Sequence, residues 1–155
     1  MNYDEIYMKK ALELAEIAAE QGEVPVGAIV VKKSTGEIVG RGFNKREYGK
    51  SPLTHGELIA IDEASRKLGG WRLIDCELFV TLEPCPMCAG AIINSRIERV
   101  VFGAYDKKAG SCGSVVNLFD FPYNHKPVLI SGILETECSQ ILSDFFRNLR
   151  AKKKS

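Results

Sequence analysis

Residues 77–103 read ELFVTLEPCPMCAGAIINSRIERVVFG, and this stretch decides the fold. The apolar run over 77–82 predicts a buried strand, residues 85–95 predict a helix, and residues 99–103 predict a second strand. A strand, a helix and a strand in this order form a right-handed crossover that packs the helix against a sheet. We therefore expect an α/β fold built around this unit.

The flanking sequence adds a hairpin before this unit and helices at both ends of the chain. Turn-forming residues at 33–36 separate two apolar runs, 25–31 and 37–43, which predicts two strands joined by a tight connection. The order of elements predicts a three-layer α/β/α fold, in which a central mixed five-stranded sheet carries helices on both faces. The other predicted elements are helices over residues 3–21, 54–68 and 134–149 and a short strand over residues 128–131.

Length and composition indicate one domain, which we place over residues 1–155. A chain of 155 residues, 45% of them hydrophobic, can bury a core without disulfide bonds. It holds no apolar run of the ~20 residues that span a bilayer, and its first residues lack the basic and apolar pattern of a secretion signal. We therefore expect a cytoplasmic protein that does not associate with membranes.

Positive charge is concentrated at the C-terminus. The formal net charge is +1, but residues 146–155 form a basic tail with two arginines, three lysines and no acidic residue. Without these five charges the remainder of the chain carries −4. The tail is either a solvated end of the last helix or a local binding surface for a polyanion.

The five cysteines do not indicate a disulfide framework, because their number is odd and the expected compartment is reducing. Cys85 and Cys88 are three residues apart at the start of a predicted helix, so both sulfurs lie on one face and can bind one ion. His55 opens the preceding helix, and the crossover brings the starts of the two helices together. This set suits one Zn²⁺ ion per chain.

Three protein ligands leave a fourth position open, which is typical of a catalytic zinc site. Glu57, two residues after His55, is well placed to move protons beside such an ion without binding it. The pattern therefore predicts a zinc enzyme.

Several of these residues have an alternative interpretation. Thr54 and Glu57 fit a capping box, in which Glu57 would only close the start of the helix. A C-x-x-C pair can also be a redox pair. Cys112, in a glycine-rich loop, could be a fourth ligand and make the site structural. Cys138 lies on the apolar face of the last helix and is predicted to belong to the core, and Cys76 receives no role.

The H-x-E and P-C-x-x-C motifs resemble the zinc-dependent cytidine and purine deaminase superfamily. Within it, the chain resembles the bacterial tRNA-specific adenosine deaminases over almost its full length. That resemblance implies a cytidine-deaminase-like fold, a homodimer, and hydrolytic conversion of adenosine to inosine at the wobble position of a tRNA anticodon. The stretches that carry it are residues 23–30, 42–44, 71–92, 95–106, 124–125 and 142–150.

The resemblance also assigns roles by position. It implies zinc binding by His55, Cys85 and Cys88, and proton transfer from the attacking water to adenine N1 by Glu57. Asn44 is implied to hydrogen-bond the base that leaves the stack. The other implied substrate-binding residues are Val24 and Pro84, as walls of the pocket, and Asp106, Asn124, His125, Phe145 and Arg147, near the anticodon nucleotides.

Two residues differ from the commonest pattern of these deaminases. Gly56 stands where alanine is usual, and Pro86, between the cysteines, is also familiar in deaminases of free bases. The alternative enzyme is therefore a guanine or cytosine deaminase that acts on a free base or nucleoside.

A zinc-stabilised RNA-binding module without activity is the alternative outside enzymes, and Glu57 argues against it. The cations at residues 45–46, at residues 107–108 and in the tail favour an anticodon stem-loop of tRNA as the partner.

Overall fold

Helices and strands follow one another in the predicted order. A computed structural model describes residues 1–154, and Ser155, the last residue of the predicted tail, lies outside the described residues. The helices are α1 (Tyr3–Glu20), α2 (Gly56–Leu68), α3 (Pro86–Ser95) and α4 (Glu135–Lys154), and the strands are β1 (Gly27–Lys32), β2 (Glu37–Phe43), β3 (Cys76–Leu82), β4 (Arg99–Ala104) and β5 (Val128–Ile130).

The strands form one mixed sheet in the order β2-β1-β3-β4-β5. β1 pairs antiparallel with β2 and with β3, whereas β3, β4 and β5 run parallel to one another. α3 connects the parallel strands β3 and β4, so residues 77–103 form the expected crossover. The predicted mixed five-stranded sheet is confirmed.

Helices cover both faces of this sheet. Because side chains alternate along a strand, Leu78 and Val80 of β3 face α2 and α3, whereas Phe79 faces the other side. There it packs with Met8 of α1 and Cys138 of α4. The predicted three-layer α/β/α arrangement is confirmed.

Glycine residues let α2 approach β2 very closely. A Cβ atom on Gly42 would overlap the carbonyl oxygen of Gly56, and a Cβ atom on Gly40 would overlap that of Ala60. The first turn of α2 is therefore held directly against the end of β2, which fixes the position of His55.

The observed boundaries differ from the predicted ones mainly at the last helix. α4 continues to Lys154, because lysine, arginine and alanine are good helix formers and cations are favourable at a helix C-terminus. A short 3₁₀ turn at Leu118–Asp120 was not predicted, since three residues carry no periodicity. None of the helices within residues 1–154 is long and apolar enough to cross a membrane.

Candidate active site

Three predicted metal ligands come together where α2 and α3 begin. His55 and Cys85 are the N-cap residues of these helices, and Cys88 lies in the first turn of α3. The His55 Nδ1 atom lies 3.7 Å from the Cys85 sulfur and 3.6 Å from the Cys88 sulfur. In tetrahedral zinc geometry a nitrogen and a sulfur ligand lie about 3.6 Å apart. The cluster therefore has the donor types and the spacing of a three-ligand zinc site.

Protons are unevenly distributed over this cluster. The hydrogen bond from the Cys88 thiol lowers the pKa of Cys85 to about 4, and the same bond, together with burial, raises the pKa of Cys88. The hydrogen bond with Cys85 also raises the pKa of His55. Cys85 is therefore the most acidic thiol, and a metal ion that binds here displaces protons from its ligands.

Glu57 lies beside the cluster in the first turn of α2. Its side chain is buried, and its Oε1 atom has no hydrogen-bond partner among the described residues. Burial raises the pKa of Glu57 to about 7. A carboxyl group that titrates near neutral pH can both accept and donate a proton, as general acid–base catalysis requires.

The capping box proposed as an alternative role for Glu57 does not form. The Thr54 hydroxyl donates to a carbonyl of its own loop at 2.9 Å, and the N-cap residue is His55, whose side chain makes no capping hydrogen bond. Instead, Oδ1 of Asn44 accepts from the Gly56 N–H at 2.8 Å. This hydrogen bond orients the Asn44 amide so that its NH₂ group is the part that can face a ligand.

The cluster opens into a cavity of about 540 Å³, a volume within the usual range of small-ligand sites. His55, Glu57 and Cys85 line its reactive end together with Asn44. The remaining lining residues are mainly apolar side chains and cations: Val24, Val26, Leu82, Tyr105, Leu142, Phe146, Arg46, Lys107 and Lys108, with Glu83, Asp106 and Ala109.

The structure brings three of the predicted substrate-binding residues to this cavity: Val24, Asn44 and Asp106. Asp106 also shapes its own loop, because its Oδ1 atom accepts from two backbone N–H groups of that loop, at 3.0 and 3.2 Å. Pro84 is buried immediately before Cys85 but does not line the cavity.

Two predicted RNA contacts lie far from the cavity within one chain. The His125 Nε2 atom is 2.7 Å from the carbonyl oxygen of Ile97, two residues before β4 begins. The metal cluster lies near the opposite end of that strand. Asn124 is exposed beside His125. The RNA contacts of both residues stay predictions.

The C-terminal helix contributes to the cavity through residues that sequence reasoning missed. Phe146 lines the cavity and packs edge-on against the predicted Phe145, with 5.4 Å between ring centroids. Leu142 lines the cavity as well, one helical turn earlier. Both residues belong to the apolar face of this helix, which is the sequence pattern that could have identified them. Arg147 is exposed and pairs with Asp144 at 3.2 Å, and its contact with RNA stays a prediction.

Tyr105 was also missed. It follows β4, lines the cavity and is exposed, and its hydroxyl donates to Ser131 at 3.0 Å. A lone aromatic residue at the end of a strand carries no signal that separates it from a surface residue.

Cys112 does not join the metal cluster within the described residues. It is buried, its backbone N–H donates to Glu83 at 3.1 Å, and burial raises the pKa of its thiol to about 12. Cys138 is buried in the core on the α1 and α4 side, as predicted, and Cys76 is buried on the other side.

The known proteins that this chain resembles are deaminases. Residues 2–150 match the MafB19-like deaminase family. The chain is 51% identical to the tRNA-specific adenosine deaminase of Bacillus subtilis, over all of this chain and 96% of that one.

Solved structures add two relatives. One, from work on A-to-I editing by tRNA:A34 deaminases at the wobble position of transfer RNA, is 40% identical with a TM-score of 0.84, over 88% of this chain and 98% of that one. The guanine deaminase of Bacillus subtilis is 32% identical with a TM-score of 0.64, over 96% of this chain and 95% of that one.

Proposed function

Since the chain belongs to the MafB19-like deaminase family and, by its full-length similarity, to the tRNA-specific adenosine deaminases, we propose that it hydrolyses adenosine to inosine at the wobble position of a tRNA anticodon. The observation that carries this proposal is the position of Glu57. A buried carboxyl with an unpaired oxygen stands beside a His–Cys–Cys cluster, at the base of a cavity large enough for a purine.

The ligand set supports one zinc ion per chain, held by His55, Cys85 and Cys88. Soft thiolates with one imidazole favour zinc over harder cations, and the start of each helix favours negatively charged ligands. The chemistry that zinc supplies when bound is the Lewis-acid activation of a water molecule for attack on C6 of the adenine.

Glu57 would move the protons of this reaction. It takes one proton from the attacking water and delivers it to N1 of the base. It then takes the remaining proton from the hydroxyl group now on C6 and gives it to the exocyclic amino group, which leaves as ammonia while the C6 carbonyl of inosine forms. A pKa near 7 suits both directions of transfer. Asn44 would donate from its NH₂ group to a ring nitrogen of the base, because its oxygen already accepts from Gly56.

The cavity rim supports RNA as the substrate. Arg46, Lys107 and Lys108 line it, and none of the three has an ion-pair partner within residues 1–154. A free base offers no phosphates to these cations, whereas an anticodon loop does. A tRNA substrate also implies residence in the cytoplasm. We further propose that the protein is a homodimer, because its resemblance to the tRNA-specific adenosine deaminases implies one.

Pro86, which suggested a free-base deaminase, has a structural explanation. It is the first residue of α3, where proline is favoured because the missing N–H would have no partner in the helix. Pro86 therefore carries little information about the substrate. In agreement with this, the chain is less similar in sequence to the guanine deaminase than to the tRNA-specific adenosine deaminase.

The test is a comparison of substrates with purified protein. We expect inosine from an anticodon stem-loop that carries adenosine at position 34, and slow or no turnover of free adenosine, guanine and cytosine. Faster release of ammonia from guanine or cytosine than from the stem-loop would overturn the proposal.

A further inference from the structure

Two loops carry the cations at the cavity rim. The first, residues 45–51, follows β2 and bears Arg46, and the second, residues 106–114, follows β4 and bears Lys107 and Lys108. Both loops are exposed at these cations. If these loops were flexible, they would lose conformational freedom when RNA binds, and that loss would weaken binding.

The first loop is held by the buried carboxylate of Glu23. This side chain is only 2% exposed. Its Oε1 accepts from the Glu47 N–H at 3.2 Å, and its Oε2 accepts from the Tyr48 N–H at 2.7 Å. Glu23 lies next to Val24, which lines the cavity. The carboxylate therefore fixes the backbone directly after Arg46 to the wall of the cavity.

The second loop is held in the same way by Glu83, which is also 2% exposed. One oxygen accepts from the Asp106 N–H at 3.1 Å, and the other accepts from the N–H groups of Cys112 and Ser114 at 3.1 and 3.0 Å. The Ser114 hydroxyl donates to the first oxygen at 2.5 Å. Gly110 completes the fit, because a Cβ atom there would overlap the carboxylate.

Neither carboxylate has a cationic partner within residues 1–154. Burying a carboxyl group is costly unless hydrogen bonds compensate it, and the donors to these two groups belong to the loops. The hydrogen bonds of both groups therefore join the loops to the wall of the cavity.

We propose that Glu23 and Glu83 are positioning residues for the RNA substrate. Before RNA binds, each one already holds a cation-bearing loop in the conformation in which the cations can contact phosphate groups. This inference rests on the proposed function. Both oxygens of each carboxylate are bound by loop donors, so Glu23 acts through Arg46, and Glu83, although it also lines the cavity, acts through Lys107 and Lys108.

The experiment compares Glu23→Gln and Glu83→Gln with two matched controls. Glu20→Gln changes an exposed carboxylate close to Glu23 in sequence. Glu77→Gln changes a buried carboxylate at the start of β3, where its partners are Tyr3 and Arg99 and not a loop. Steady-state kinetics on the adenosine-34 stem-loop, zinc content and thermal stability are measured for each variant.

We expect each loop variant to raise KM by about tenfold, with kcat at saturating RNA changed much less, because only the loops are released. The controls should leave KM unchanged even where Glu77→Gln lowers stability. Ser114→Ala, which removes one of four donors to Glu83, should raise KM by a smaller factor and covers the case in which Glu83→Gln does not fold.

A double-mutant cycle separates positioning from a general loss of stability. If Glu23 acts through Arg46, Arg46→Ala should cost little further affinity in the Glu23→Gln background and its full cost in the Glu83→Gln background. Additive effects in both backgrounds would overturn the proposal, as would an unchanged KM in both loop variants.

Failure of the proposed function looks different. In that case the wild-type protein does not deaminate the stem-loop at all, whereas failure of the positioning proposal leaves the wild type active and the two variants indistinguishable from their controls. Backbone amide exchange provides a readout without substrate: Glu47, Tyr48, Cys112 and Ser114 should exchange faster in the matching variant only.

Discussion

Asn44 and Glu57 have different roles at the start of α2: Asn44 binds the end of the helix, and Glu57 faces the metal cluster. Asn44 lies in the loop after β2, yet its oxygen satisfies the first N–H of the helix, at Gly56. Glu57 therefore does not have to cap the helix, and one of its oxygens stays without a partner beside the metal cluster. A residue distant in sequence thus leaves the carboxyl available for chemistry.

Replacing Glu57 should remove turnover and spare the metal. We expect Glu57→Ala to keep its zinc and its fold but to lose about 10²–10⁴-fold in kcat, the usual contribution of general acid–base catalysis. Inosine formation and zinc content are measured on the same preparation. Glu63→Ala, on an exposed part of the same helix, is the control. Retained activity in Glu57→Ala would leave proton transfer without a candidate.

Removing one ligand should remove metal and activity together. Cys85→Ala leaves two protein ligands, which do not hold a catalytic ion, so we expect zinc content near zero and no turnover. Cys112→Ser is the control, because Cys112 lies outside the cluster and should leave zinc content unchanged. Full zinc retention in Cys85→Ala would show that the ligand assignment is wrong.

Sequence could identify the reactive residues but not every residue around them. His55, Glu57, Cys85 and Cys88 follow from donor type and from spacing within a helical turn, which are local properties. Phe146 and Tyr105 line the cavity because of how α4 and the end of β4 pack, and that depends on tertiary structure.

The elements that build the site are α2 and α3, whose first turns meet because both helices follow chain segments at the same end of the sheet. α2 reaches its position only because Gly40 and Gly42 remove side chains from the face of β2 that it covers. The sequence pattern predicted α2 and β2 but not their close approach. A glycine in a strand can also mark a bulge or a bend, so Gly40 and Gly42 alone did not indicate that a helix packs against them.

Adding a methyl group at this contact should push α2 away from the sheet. We expect Gly42→Ala to destabilise the protein by about 1–3 kcal/mol, as overpacking of a close contact does, and to weaken zinc binding because His55 moves with the helix. Urea unfolding and metal titration measure the two effects. Gly70→Ala is the control: a Cβ atom there meets nothing within 4 Å. Equal stability of both variants would contradict the close packing.

At the scale of the whole molecule, the predicted RNA-binding residues lie in two separate parts of one chain. Asn124 and His125 are predicted to approach the anticodon, yet within one chain His125 lies at the far end of β4 from the cavity. We therefore expect a homodimer, and light scattering at micromolar concentration should give twice the mass of 17.1 kDa. A fully active monomer at that concentration would contradict this expectation.

The uneven charge of the molecule leads to the last prediction. The five cations of the basic tail extend a helix whose earlier residues, Leu142 and Phe146, line the cavity. If tail cations contact phosphates, the affinity for RNA falls with salt, with a log–log slope of about −0.7 per contact on a single strand. Truncation after Leu149 removes one arginine and three lysines and leaves the cavity residues in place.

We expect the truncated protein to bind the stem-loop more weakly and with a flatter salt dependence, while kcat at saturating RNA stays nearly unchanged. Binding measured at several salt concentrations gives the slope, and replacing the same four cations by glutamine in the full-length chain separates charge from helix length. If both variants keep the wild-type slope, the tail is a solvated helix end, and the phosphate contacts belong to the loops alone.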